Sequence, residues 1–175
     1  MKYLLIGLLS IGSALAGVDL TKSEFTWTGK KVAGPHYGKV PLKSATLVEE
    51  KGMIKSGEFV IEIGKMSVED IQGEWADKLK AHLISPDFFN VEKYPTATLK
   101  VKSVKGSTVT ADLTIKGKTN TVTFDAVKKD GAYTGKLEFD RTKFDMVYNS
   151  GNFFKDLGDK VIEDKVTVDF KVVQN

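Results

Sequence analysis

The chain of 175 residues contains no cysteine. That absence excludes disulfides, thiolate metal sites, a cysteine nucleophile and the lipidated cysteine of a bacterial lipoprotein. Histidine is almost as scarce, with His36 and His82 the two examples. A three-histidine zinc centre therefore cannot form within one chain, and no His-Glu-x-x-His helix is present. No serine sits in a Gly-x-Ser-x-Gly elbow, and no glycine-rich phosphate loop joins a strand to a helix. Charge of one sign is also lacking: 26 basic residues face 23 acidic ones, a formal net charge of +3. The lysines are scattered, with no basic block to mark nucleic acid or an anionic membrane. Long apolar runs are missing too. The stretch from Leu4 to Ala16 falls short of the roughly 20 residues a membrane span needs.

That stretch has its own meaning. Lys2 precedes it, and Ala14-Leu15-Ala16 closes it with a small-x-small pattern, as in a secretory signal peptide. Residues 1–16 are thus expected to be removed, leaving residues 17–175 as one exported domain with no stable membrane anchor. Loss of Lys2 takes 26 basic residues to 25 against 23 acidic ones, a net charge of +2.

From Gly17 onward, period-two alternation dominates, the pattern of strands with one buried face. Phe25, Trp27 and Gly29 share one phase, as do Phe59, Ile61 and Ile63. Ala97, Leu99 and Val101 follow, then Val109, Ala111, Leu113 and Ile115. Val122, Phe124 and Ala126, then Leu137 and Phe139, and finally Val166, Val168, Phe170 and Val172 complete the series. A less regular strand is expected over residues 41–49. Turn residues such as Lys116-Gly117-Lys118 and Lys129-Asp130-Gly131 separate these runs, so the neighbours are antiparallel hairpins. The chain is all-β, with about eight strands that must close on themselves or pair as two sheets.

One segment departs from this period. Ile71, Trp75, Leu79 and His82 or Leu83 fall at helical spacing behind the capping signature Ser67-Val68-Glu69-Asp70, and Pro86 stops the pattern. The spacing predicts an amphipathic helix over residues 70–83, inserted between the third and fourth strands. Gly34-Pro35-His36-Tyr37-Gly38 reads as a bend between strands.

The inward phase carries large rings, which either fill a small barrel or line an apolar cavity within it. The candidate ligand contacts are Phe25 and Trp27 on the first strand and Phe59 and Ile61 on the third. Leu99, Leu113, Phe124 and Phe139 continue around the wall. Phe88, Phe89, Phe153 and Phe154 are candidates for the mouth, with His36 and His82 for a polar end. Ordinary core packing is the alternative role for each. A mixed metal site of His36, His82 and a carboxylate, Asp87 or Glu74, is weaker than a reading in which each histidine fixes a loop. The expectation is therefore no metal, no cofactor and no catalytic residue. Rings on the buried phase also argue against stacking on nucleic acid.

Four stretches carry a resemblance. They are Phe25–Lys30 with Gly34-x-His36-x-Gly38, the segment from His82 to Pro95, Leu113–Gly117 with Val122-Thr123-Phe124, and Ser150–Ile162. Their wording and order resemble the YceI-like family of polyisoprenoid-binding proteins. Asn90, Lys80, Lys118 and Asn120-Thr121 depart from the usual family residues. The resemblance implies an antiparallel lipocalin-like barrel holding the tail of a polyisoprenoid or fatty-acyl ligand. It implies no catalysis, a periplasmic location and a fold that commonly forms homodimers. Two further readings stand beside it. One is an enzyme on a barrel scaffold using His82 and Asp87; the other is a stress-protective structural module with a filled core.

Overall fold

A computed structural model describes residues 14–175. Ten antiparallel strands form one curled sheet in the order β1-β4-β5-β6-β7-β8-β9-β10-β2-β3. They are β1 (Ala14–Gly17), β2 (Glu24–Lys31), β3 (Gly34–Lys39), β4 (Leu42–Glu50), β5 (Met53–Glu62), β6 (Thr96–Lys105), β7 (Thr108–Ile115), β8 (Lys118–Lys129), β9 (Ala132–Asp140) and β10 (Ile162–Val173). One helix, α1 (Glu74–Ile84), follows β5. This is the expected all-β lipocalin-like barrel. The expected signal peptide lies outside the described residues as far as residue 13. Ala14–Gly17 runs as a short edge strand against Thr46–Glu49 of β4.

The alternation dictates the strands. On β7, Val109, Ala111, Leu113 and Ile115 are buried while Thr108, Thr110, Asp112 and Thr114 are not. Two-residue turns at Lys51-Gly52, Lys116-Gly117 and Asp130-Gly131 join consecutive strands. Both residues of each turn have positive φ, the geometry that matches the twist of a hairpin. Strands β4 to β10 therefore form a simple meander. The N-terminal β2 then pairs with the C-terminal β10.

Two sequence-based expectations need correction. Gly34–Lys39 is not a bend but a strand, β3, paired with β2 over six residues. Its free edge takes up the segment after β5: the Ser67 amide donates to Lys39 O at 2.8 Å and the Glu69 amide to Tyr37 O at 2.9 Å. Gly38 permits this approach, because a Cβ there would stand 2.0 Å from Ser67 O. The helix consequently begins late. Ser67 Oγ accepts from the Lys39 amide, and the Asp70 carboxylate holds Tyr37 N and His36, so the capping signature serves β3 instead. Gly73 stands at the helix start without a side-chain cap, and α1 covers Glu74–Ile84 rather than residues 70–83. With β3 counted as a strand, the helix lies between β5 and β6, the fourth and fifth strands from Glu24 onward.

The end of the barrel away from the helix is tied by a polar bridge between non-adjacent strands. The Tyr133 hydroxyl on β9 donates to the Glu49 carboxylate on β4, and Lys128 Nζ on β8 reaches the same oxygen at 2.7 Å. Burial alone would raise the Glu49 carboxyl, but the hydrogen bonds from Lys128 and Tyr133 outweigh it and hold it below its ordinary value. The Tyr133 hydroxyl moves the other way, raised by burial and by its bond to Glu49. In an unfolded chain a glutamate titrates near about 4.3. The stabilisation from Glu49 is therefore complete above that value and is lost as the pH falls through the lower folded value. Thermal melts in acidic buffers should show stability falling below about pH 4. Glu49→Gln should lower stability at neutral pH by about 1–3 kcal/mol and flatten the acid limb.

Candidate lipid-binding site

The barrel is not filled. A cavity of about 440 Å³ opens between the sheet and α1. That volume lies within the usual range of roughly 300–1,000 Å³ for small-molecule sites. Phe25, Trp27 and Gly29 of β2, Phe59 and Ile61 of β5, and Leu99 of β6 line its walls. Leu113 of β7 and Phe139 of β9 continue around it. Each stands on the inward phase of its strand, which is why alternation alone located it. A second space of about 50 Å³ lies toward the Tyr133 end. The two share Phe25, Phe59, Leu99, Leu137 and Val168, so this layer of side chains divides the barrel interior.

Phe124 belongs to the smaller space, not the larger one. It lies nearer the Tyr133 end, edge-on to Phe170 at 5.5 Å between centroids. Phe153 and Phe154 line neither space. They are 58% and 47% exposed, because the chain turns outward at Ser150, whose carbonyl accepts from both of their amides. Phe88 and Phe89 do reach the cavity. Phe88 is buried, and the connection after α1 folds back so that the Phe89 amide donates to Leu83 O at 3.0 Å. Asn90 has a φ of 48° in that connection, a conformation asparagine tolerates better than most residues. Leu79 and Leu83 of α1 complete the cover.

Both histidines line the cavity, and each meets a different carboxylate. His36 Nδ1 lies 2.7 Å from Asp70 Oδ2. Burial pushes the Asp70 carboxyl up, but the Tyr37 amide and the His36 ring outweigh it, so its pKa is lowered overall. His82 Nε2 lies 3.1 Å from Asp87 Oδ2. The His82 ring stands edge-on to Phe88 and Tyr148, with centroids 5.0 and 4.6 Å away. Glu74 instead forms an ion pair with Lys78. Among the described residues, no three His, Asp or Glu side chains come together as metal ligands. The Trp27 indole donates to Ser67 O at 3.0 Å, which fixes the ring in the wall.

Sequence reading missed the group that shapes the mouth. Arg141, only 2% exposed, sits just beyond β9 and borders the cavity. Opposite it, the β10–β2 register jumps between Ile162 and Val166, freeing carbonyls from the ladder. Arg141 Nε donates to Glu163 O at 3.0 Å, Nη2 to Ile162 O at 2.9 Å, and Nη1 to Met146 O. Nη2 also meets Asp164 Oδ1 at 3.2 Å. The second Asp164 oxygen accepts from Ser150 Oγ at 2.9 Å and Asn152 Nδ2 at 2.7 Å. Burial lowers the guanidinium pKa, against the raising effect of Asp164 and Asp140. One signal was visible: Arg141 is the single arginine among the 26 basic residues. A planar fork serving several acceptors is the one task lysine cannot perform.

The site thus offers a long apolar wall and a mouth with a few polar groups. Lys30, Lys31, Lys160, Asp159 and Glu163 border that mouth. This division suits a ligand with a hydrocarbon tail and a polar end.

Solved structures share the architecture. BcnA of Burkholderia cenocepacia superposes with a TM-score of 0.69 at 24% identity, over 89% of this chain and 98% of that one. A polyisoprenoid-binding domain from Saccharophagus degradans gives 0.62 at 14% identity, over 92% and 97%. At these identities the likeness is one of fold. An UPF0312 protein of Staphylococcus aureus strain USA300 is 52% identical over 44 residues, 25% of this chain. The match spans about a quarter (26%) of that curated relative's length. The model of the YceI-like domain matches residues 17–174, and the chain therefore belongs to the YceI-like family.

Proposed function

We propose that this protein is exported to the periplasm and there holds the tail of a polyisoprenoid or fatty-acyl lipid inside its barrel, as a carrier or store. The observation that carries this reading is the apolar cavity of about 440 Å³ lined by the inward phase of the strands. A hydrocarbon tail has no hydrogen-bonding group, so it needs area and shape alone. Each methylene taken from water contributes about 0.8 kcal/mol. Several such groups suffice for tight binding after the cost of ordering the ligand. The printed description of the Saccharophagus degradans neighbour as a polyisoprenoid-binding domain supports the same class of ligand. The cluster Lys2, Leu4–Ala16 and Ala14-Leu15-Ala16 supports export.

We read the role as binding, which the YceI-like family match and the polyisoprenoid-binding description of the Saccharophagus degradans neighbour support. A filled-core structural module fits poorly with so large an apolar void.

Native mass spectrometry of protein purified from its own host tests this function. A co-purifying lipid, or uptake of polyprenyl and fatty-acyl probes, is the expected result. A chain with neither would remove the proposal. Titration with saturated fatty acids adds a quantitative check. Removing two methylenes from the tail should weaken binding about 15-fold, the equivalent of roughly 1.6 kcal/mol. An affinity insensitive to tail length would place the ligand outside the cavity.

A further inference from the structure

The segments around the cavity mouth also expose apolar side chains outward. Phe153 and Phe154 occupy the middle of the loop 149–162, whose residues Asn149, Asp159, Lys160 and Ile162 line the cavity. Val32, 63% exposed, tips the β2–β3 hairpin directly after the cavity-lining Lys30 and Lys31. Trp75, 71% exposed, stands one turn before the cavity-lining Leu79 on α1. Exposed apolar groups gathered at one end mark an interaction surface.

The loop is built to present its phenylalanines. The Ile162 amide donates to Asn149 O at 2.9 Å and closes the base. The amides of Phe153 and Phe154 both turn back to Ser150 O, and Asp164 holds Ser150 and Asn152 from below. Ile162 also pairs with Lys31, which sets the loop beside the hairpin tip.

Charge distinguishes the partner. Lys30, Lys31, Lys155 and Lys160 are all exposed around the mouth, against Asp156, Asp159 and Glu163. None of the four lysines forms an ion pair among the described residues. Lysines that are scattered along the sequence are thus collected in space by the fold. A second copy bound face to face would bring these four unpaired lysines against their own counterparts. An anionic bilayer complements it, and aromatic rings beside lysines suit the headgroup boundary.

We propose that the cavity mouth docks on an anionic lipid bilayer, inserting Phe153, Phe154, Val32 and Trp75 at the interface. This rests on the proposed lipid-binding role: a tail then moves between bilayer and barrel without crossing water.

The test uses lipid-free protein and vesicles of phosphatidylcholine, with or without phosphatidylglycerol. Co-sedimentation should show binding to the anionic vesicles at least tenfold tighter, lost at about 1 M salt, where screening acts within about 3 Å. The F153S/F154S variant should bind those vesicles at least tenfold more weakly, with unchanged melting temperature and unchanged uptake of a water-soluble fluorescent fatty acid. Val32→Ser provides a second variant, on a different segment. Equal vesicle binding by both variants, or none by the wild type, would overturn the proposal. So would a wild-type dimer that F153S/F154S splits in sedimentation equilibrium, since the face would then belong to a second copy. Fatty-acid uptake is read without vesicles, so failure of the lipid-binding role would show separately.

Discussion

Replacing Gly29 with tryptophan is expected to lower affinity for fatty-acyl or polyprenyl probes at least 100-fold while leaving the barrel as stable as before. Gly29 lies toward the end of β2, two residues after the inward-facing Trp27, and borders the cavity. A Cβ built there meets nothing within 4 Å. A side chain at this position therefore grows into the void and not into packed neighbours. Glycine inside a strand is otherwise a weakness, costing roughly 0.5–1 kcal/mol relative to alanine. Its presence opposite His36 and Val166 keeps space open. Residues that lower stability in favour of function are where a local rule is expected to fail. Probe titration combined with thermal melting checks the prediction. Lost binding with a preserved melting temperature supports the cavity, whereas unchanged binding would move the ligand elsewhere.

Removing Arg141 should produce the largest loss of stability. Arg141→Ala leaves Asp164 without its guanidinium and strips a donor from the carbonyls of Met146, Ile162 and Glu163. Breaking a buried ion pair from one side costs about 3–5 kcal/mol. For a domain of this size, that corresponds to a melting temperature lower by roughly 10–15 °C. Arg141→Lys should recover little of the loss. One ammonium cannot reach acceptors spread around a planar fork. The loop 149–162 should loosen first, since Asp164 also anchors Ser150 and Asn152. Hydrogen exchange resolves this: rapid exchange at the amides of Phe153, Phe154 and Ile162 is expected in the variant. A lysine variant as stable as the wild type would show that charge, and not the fork, is what matters here.

The strands and cavity walls were legible because they depend on a period of two. Trp27, Phe59, Leu99 and Leu113 declare their side of the sheet through their neighbours alone. The edge β3 was not legible in this way. Gly34, Pro35 and Gly38 are turn-like residues locally, and only the pairing with β2 and residues 67–70 makes them a strand. The late start of α1 has the same origin, since Ser67 and Asp70 serve a tertiary partner in place of the helix. Phe153 and Phe154 mirrored Phe88 and Phe89 in sequence but point outward, because their direction depends on the turn at Ser150. The Arg141 cluster joins residues from positions 141 to 164 through a bulge that no local pattern reveals.

The central claim is that a hydrocarbon tail lies within the barrel, and photolabelling tests it most directly. A polyprenyl or fatty-acyl probe with a diazirine at the tail end should attach to the peptides carrying Phe59, Ile61, Leu99 or Leu113, and Gly29→Trp should abolish the adduct. Labelling confined to Phe153, Phe154 or other outward-facing residues, and unaffected by Gly29→Trp, would contradict the account.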